Sequence, residues 1–200
     1  MRELRVEGTS YPLLRHLTPP VVAITSVAGD RTNGMIVNSA QRASLVPSVP
    51  RISLYILKPH VTHELIMESG IFAVHLLRND QFDVIWQLGL QSARDVPDKL
   101  QALELHTGET GCPLLVDCIA SFECRVINAM DAGAATFFLG DVVKDHAGTD
   151  GDIMTSPFFR EHMPADKKRV YESNLAHAME YLEPLSRSID AVGWKGPRHK

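Results

Sequence analysis

Hydrophobic and polar positions alternate with a period of two along most of this chain, and helical spacing is confined to a few stretches. Val21 to Val27 is a β-branched run that reads as a strand. Asn33-Gly34 lies between that run and a second one over 35–38, which predicts a hairpin turning at Asn33-Gly34 into a strand over 35–41, because both turn residues tolerate positive φ. Residues 42–50 hold Pro47 and Pro50 and read as a loop. From Arg51 to Leu57, Ile52, Leu54 and Ile56 face one way and Ser53 and Tyr55 the other, as in a half-buried strand. Ile71 to Leu77 is another strand. Asp117 to Ile127 alternates with Cys118, Ala120, Phe122, Cys124 and Val126 inward and Asp117, Ser121, Glu123 and Arg125 outward. A turn at Asp131-Ala-Gly133 sends a strand over 136–143 back along it.

Helical signals sit between the strands. Thr62 is placed to cap a short helix that Ser69-Gly70 closes. Asn79 is placed to cap a helix with Phe82, Ile85, Trp86 and Leu90 on its apolar face, and Pro97 to Leu105 reads as a further short helix. Ser156-Pro157 begins another, cap then Pro at the first turn. Residues 165–185 place Tyr171, Leu175, Ala178, Leu182 and Leu185 at helical spacing. Residues 1–19 are a lead-in with an early strand or short helix. Many strands joined by tight turns, with helices inserted rather than alternating, define a mainly β chain: a β-barrel with inserted helices, not a parallel α/β sheet.

Composition narrows the picture. The 200 residues are 44% hydrophobic and 22% charged, ordinary for one soluble globular domain. A net charge of −4 gives no footprint for nucleic acid. No apolar run approaches the ~20 residues of a membrane span, and the charged start Met1-Arg-Glu-Leu-Arg-Val-Glu7 lacks a signal-peptide core, so the expectation is a cytoplasmic protein. Cys112, Cys118 and Cys124 are odd in number and form no C-x-x-C pair, which marks them as buried structural thiols.

Two stretches carry candidate chemistry. Asn38, Ser39, Ala40 and Gln41, with Ser44 beyond them, are small or polar residues at a strand end, where a flat ligand can approach the backbone; the plain alternative is a polar strand terminus. Lys58, His60 and Thr62 gather where a strand ends and a helix begins, and a helix N-terminus offers unpaired amides and a positive dipole end to a phosphate. Here the alternative is a solvated strand end. His60 and His63 have no further ligands in a pattern, so no metal site is expected. Neither a Gly-x-Ser-x-Gly elbow, a Gly-x-Gly-x-x-Gly fingerprint nor a Walker loop is present.

Taken together, Arg31-Thr-Asn-Gly-Met-Ile-Val-Asn-Ser39, Ser44-Leu45 before a double-proline loop, Thr62-His-Glu-Leu65, Ser69-Gly-Ile-Phe-Ala-Val74, Gly111-Cys-Pro-Leu-Leu115, Phe122-Glu-Cys-Arg-Val126 and Phe137-Phe-Leu-Gly-Asp-Val142 resemble the flavin reductase-like family over residues 12 to 147. The resemblance implies an FMN-binding split barrel of Greek-key type over residues 1–150. It implies FMN, with FAD as the alternative, and NAD(P)H as substrate. It implies a homodimer, and an oxygenase component that receives reduced flavin. By the same resemblance, residues 38–41 and Ser44 lie by the flavin ring, and Lys58, His60 and Thr62 lie by its phosphate. Beyond residue 148 the resemblance fades, and residues 151–200 are expected to be a helical extension on the barrel or on a partner subunit. One departure stands out. Many relatives carry a histidine just before the threonine that opens the strand after Asp-Ala-Gly, and this chain has Ala135 there. That keeps a second reading open: an FMN-binding protein without nicotinamide chemistry, either an electron carrier like flavoredoxin or an enzyme acting on another substrate.

Overall fold

The computed structural model describes residues 14, 16–17, 19–92, 96 and 98–197; the lead-in expected over residues 1–19 therefore falls largely outside the described residues. The first hairpin joins β1 (Val22–Ala28) to β2 (Arg31–Val37). Its turn is Gly29-Asp30, not Asn33-Gly34: Ala28 pairs with Arg31, and Gly29 takes the left-handed φ of +60°. Asn33 and Gly34 sit inside β2, opposite Ser26 and Thr25. Both have other reasons to be there. A Cβ on Gly34 would stand 3.0 Å from Leu88 and 3.1 Å from Leu100, and the Asn33 amide donates to Thr62 Oγ1 at 2.9 Å.

The chain continues through β3 (Gln41–Arg42), β4 (Arg51–Leu57), α1 (Val61–Ser69), β5 (Ile71–Leu76), α2 (Phe82–Gly89), β6 (Leu105–Thr107), β7 (Pro113–Leu115), β8 (Ala120–Asp131), β9 (Ala135–Ala147), α3 (Ser156–His162) and α4 (Ala165–Ser186). Seven strands form one antiparallel sheet in the order β2-β1-β5-β8-β9-β4-β3. Its edge strands, β2 and β3, are consecutive in sequence. The sheet therefore curls until residues 38–40 bridge its two edges, and what results is a split barrel.

The barrel interior is filled by Ile24, Leu54, Ile56, Phe72, Val74 and Phe138, with Ile66 of α1 reaching into it. Each such side chain contributes about 1.5–3 kcal/mol of burial. The opposite faces of β1 and β5 meet a second core, in which Val21, Ala23 and Leu77 pack with Ile85 and Leu88 of α2 and Phe159 of α3.

Several local expectations change. α1 begins at Val61 with His60 at its N-cap, while Thr62 is buried. α2 is capped at Gln81 rather than Asn79, whose amide donates to Asp152 O. α3 is capped by Thr155, which accepts from Phe158 N, and Ser156 instead donates to Pro19 O. Residues 97–105 contain no helix among the described residues. Asp98 Oδ1 accepts from Leu100 N in a turn, and Leu105 then pairs with Leu115 in a β6–β7 arm. That arm covers a face of β8 that alternation assigned to solvent, so Ser121 and Glu123 are buried. All three cysteines are free and buried.

α4, at 22 residues, is the longest helix among the described residues, yet it buries no residue. Tyr171 packs edge-on against Phe159, and Lys167 Nζ lies 3.2 Å over the Trp86 ring. At the other end, a Cβ on Gly133 would stand 2.8 Å from Ser186 O, and a Cβ on Gly70 would stand 2.7 Å from Pro197 in the tail that follows. Among the described residues no helix is long and apolar enough to cross a membrane.

Candidate functional site

Residues 38–40 leave β2 and enter β3 with Asn38 exposed, Ser39 half-buried and Ala40 buried. Ser39 Oγ fixes the bridge by donating to Tyr55 O at 2.7 Å. Because β2 and β3 are the sheet edges, one side of this segment's backbone is free of ladder partners within the chain. Ala40, Gln41 and Ser44 line a mouth of about 660 Å³ that opens into the barrel, walled by Val22, Val74 and Phe122. Leu45 and Val46, 83% and 54% exposed, stand at its rim.

A second cavity of about 410 Å³ lies at the amino end of α1. His60, Val61 and Thr62 form one wall, Leu88 to Ser92 another, and Tyr171, Asn174, Leu175 and Ala178 of α4 a third. His60 makes no side-chain capping bond to the first turn of α1. Asn38 borders a smaller adjoining recess that shares Ile36, Gly89, Leu90 and Tyr171 with this cavity. His60, Thr62 and Asn38 thus converge on one side of the barrel, and Ala40, Gln41 and Ser44 on its mouth. Sequence reasoning missed Lys99, which lines the same cavity and is buried. A lysine between Asp98 and Leu100, with no helix or strand register, carries no signal of its burial.

Lys58 is set apart from both. Its ammonium is 2.9 Å from Asp131 Oδ2, and it borders a third space of about 1010 Å³ with His63, Trp194 and Lys195. Ala135 is fully buried in the turn region covered by the end of α4. An imidazole nevertheless stands nearby, since His63 Nε2 is 2.8 Å from Thr136 Oγ1.

A further polar group holds the arm rather than a ligand. Glu123 accepts from Glu109 N, Thr110 N and Thr110 Oγ1, and lies 2.9 Å from His146 Nε2. Desolvation pushes its carboxyl up, but these bonds together outweigh it and leave the pKa at about 2. His75 is buried beside them, pushed down to about 4 by desolvation, with Nδ1 3.3 Å from Ala23 O and Nε2 without a partner. Among the described residues no group of His, Cys, Asp and Glu is arranged to hold a metal ion.

An open antiparallel barrel, with an apolar mouth and a mixed apolar and polar cavity at a helix amino end, belongs to the split barrels. Residues 14–165 match the model of the flavin reductase like domain, and the chain belongs to that family. It is 31% identical over 150 residues to the high molecular weight rubredoxin of Moorella thermoacetica, covering 74% of this chain and 64% of that protein, and so spans a little under two thirds of this relative's length. It is 33% identical over 135 residues to the FMN reductase (NADH) SmoA of Agrobacterium fabrum, covering 68% of this chain and 73% of the relative. Among solved structures, the NADH:FAD oxidoreductase of Streptomyces globisporus in complex with NAD and FAD fragments is similar with a TM-score of 0.61 and 26% identity, over 72% of this chain and 86% of that one.

Proposed function

We propose that the protein is an NAD(P)H-dependent flavin reductase that takes FMN in preference to FAD, acts as a homodimer and hands reduced flavin to an oxygenase component. The observation that carries this reading is the presence of two differently built spaces on one flavin reductase-like barrel. One is strongly apolar and roomy; the other is smaller, mixes apolar with polar side chains and lies at a helix amino end. A phosphorylated flavin has the matching halves, a flat ring system and a charged tail. Bound there, flavin supplies the centre that accepts hydride from nicotinamide.

The chain's own residues bind and orient. The free backbone side of Asn38, Ser39, Ala40 and Gln41 meets the polar edge of the ring, with Ser44 beyond. His60 and Thr62 hold the amino end of α1 open to the phosphate. The walls at Val22, Val74 and Phe122 exclude water from the mouth. A second protomer would cover the exposed apolar rim at Leu45 and Val46, and the extension beyond residue 150 would pack on the barrel or on that partner subunit.

Ala135 and the resemblance to a rubredoxin favour one other reading, an FMN-binding electron carrier without nicotinamide chemistry. Mixing the FMN-loaded protein with NADH and with NADPH in a stopped-flow instrument separates the two. Bleaching of the flavin absorbance within seconds is the expected result. Flavin that binds but is reduced by neither nucleotide selects the carrier, and a protein that binds no flavin at micromolar concentration rules out both.

A further inference from the structure

The third space, of about 1010 Å³, lies apart from the barrel mouth and from the amino end of α1. One side of it is α1 with the ends of β8 and β9 that face each other across their turn, and the other is the tail after α4, which carries Trp194. The tail has no helix or strand of its own, yet it is seated on a glycine at each end. Ser186 O fills the place of a Cβ on Gly133, and Pro197 fills that of a Cβ on Gly70. Between the two seats Trp194 is half-buried, while its neighbours Gly193 and Lys195 are exposed. Arg31 pairs with Glu68 and Lys58 with Asp131, so these charges are neutralised within the lining. Trp194, Met67 and Met130 supply broad apolar surface. A lining of this kind suits a flat, neutral ring with polar edges rather than a free ion.

A row of ladder partners leads from residues 38–41 to this space. Ser39 Oγ donates to Tyr55 O, Tyr55 pairs with Phe137, and Phe137 pairs with Met130, which lines the space. Directly opposite residues share a face, here the outer one, with Tyr55 38% and Met130 59% exposed. The two strand spacings of the row amount to about 10 Å. Hydride transfer needs its two atoms about 3–3.5 Å apart, so a nicotinamide in this space would not reach a flavin ring beside residues 38–41. The other end of the same nucleotide fits instead. We propose that the space under the tail binds the adenosine end of NAD(P)H, with Trp194 stacked on the adenine, while the diphosphate crosses the Tyr55–Phe137–Met130 row on its solvent side and brings the nicotinamide to the flavin. This rests on the flavin reductase reading above and extends it to a segment beyond the family match, which ends at residue 165. Trp194 acts on a non-reacting part of the substrate, so its contribution falls on binding.

The test uses the two halves of the nucleotide separately. Reduced nicotinamide mononucleotide has no adenosine, and ADP-ribose has no nicotinamide. At saturating FMN, Trp194→Ala should raise KM for NADH about fivefold or more, the scale of one base stacked on an aromatic ring, with kcat and the KM for the mononucleotide unchanged. Trp194→Phe should recover most of that loss. A second readout needs neither flavin nor turnover. The chain's other tryptophan is Trp86, so in Trp86→Phe the indole fluorescence reports on Trp194 alone, and ADP-ribose should quench it saturably. Equal rises in KM for both reduced nucleotides, no rise for NADH, or fluorescence that ADP-ribose leaves untouched overturns the assignment while leaving the reductase reading intact. FAD is the other source of an adenosine. Weaker binding of FAD but not of FMN in Trp194→Ala, with KM for NADH unchanged, gives the space to the flavin's own adenosine and overturns the proposal. Wild type that oxidises no reduced nucleotide overturns the reductase reading, and this assignment with it.

Discussion

A carboxylate that accepts three hydrogen bonds from one loop cannot be neutralised without loosening that loop. Glu123 is such a group: its side chain is fully buried and it ties residues 109–110 to β8. Glu123→Gln keeps the shape but loses the charge and turns one acceptor into a donor facing amides. We expect a loss of about 2–4 kcal/mol in urea unfolding; an unchanged midpoint would show that the arm does not depend on it. His75 sets the response to acid. Its folded pKa of about 4 lies below the ordinary value of 6.5, so the folded state holds it neutral and stability is fully present above pH 6.5. As pH falls from 6.5 towards 4, the unfolded chain gains a proton that the folded one refuses. The loss reaches about 3 kcal/mol by pH 4. Glu123 has the usual carboxylate sign, with its contribution lost between the ordinary value of 4.5 and about 2. Urea midpoints at pH 7, 5.5 and 4 check this. His75→Gln should flatten the upper part of the decline, and a midpoint that is constant from pH 7 to 4 would contradict the assignment. Neither role was legible in the chain. Period-two alternation sends Glu123 to the outer face correctly, but it cannot show that a distant arm covers that face.

Strands whose partners are all long-range were still easy to read where one face packs a core. Residues 51–57 and 71–76 alternate because Leu54, Ile56, Phe72 and Val74 fill the barrel, and that demand is written locally. The arm was not legible for the opposite reason. Leu105 is a strand residue because Leu115 lies across from it, and nothing near residue 105 encodes that pairing. The turn at Gly29-Asp30 lost to Asn33-Gly34 in the sequence because the stronger turn pair is there for packing. The split of the candidate site was equally hidden, since Lys58 lies two residues from His60 yet its side chain leaves for Asp131. Two predictions belong to elements. Gly140 in β9 has Phe72 against it, with a Cβ there only 2.7 Å from the ring, so Gly140→Ala should cost about 1–3 kcal/mol through overpacking; thermal denaturation measures it, and a stabilised variant would show slack at the barrel centre. α4 buries no residue, so its amides should exchange with solvent far faster than those of β5 and β8. Hydrogen-exchange mass spectrometry giving equal protection would mean that another surface covers the helix.

At the scale of the whole molecule, exposed apolar side chains accumulate around the mouth and along the C-terminal extension, including Leu45, Val46, Tyr181, Ile189 and Val192. A second copy that covers them would double the 22.2 kDa chain mass in light scattering at micromolar concentration, whereas a single-chain mass would leave the mouth open to solvent in the working protein. The closure of the sheet has a consequence of another kind. Around most of its circumference this barrel is a hoop held by ladders, and an inserted residue would throw every later pairing out of step. Between Val37 and Gln41 it is held only by main chain running on. Lengthening or shortening that one stretch lets the girth out or takes it in without disturbing a single rung, so the width of the slot can be refitted to a thicker or thinner guest by changes at three positions.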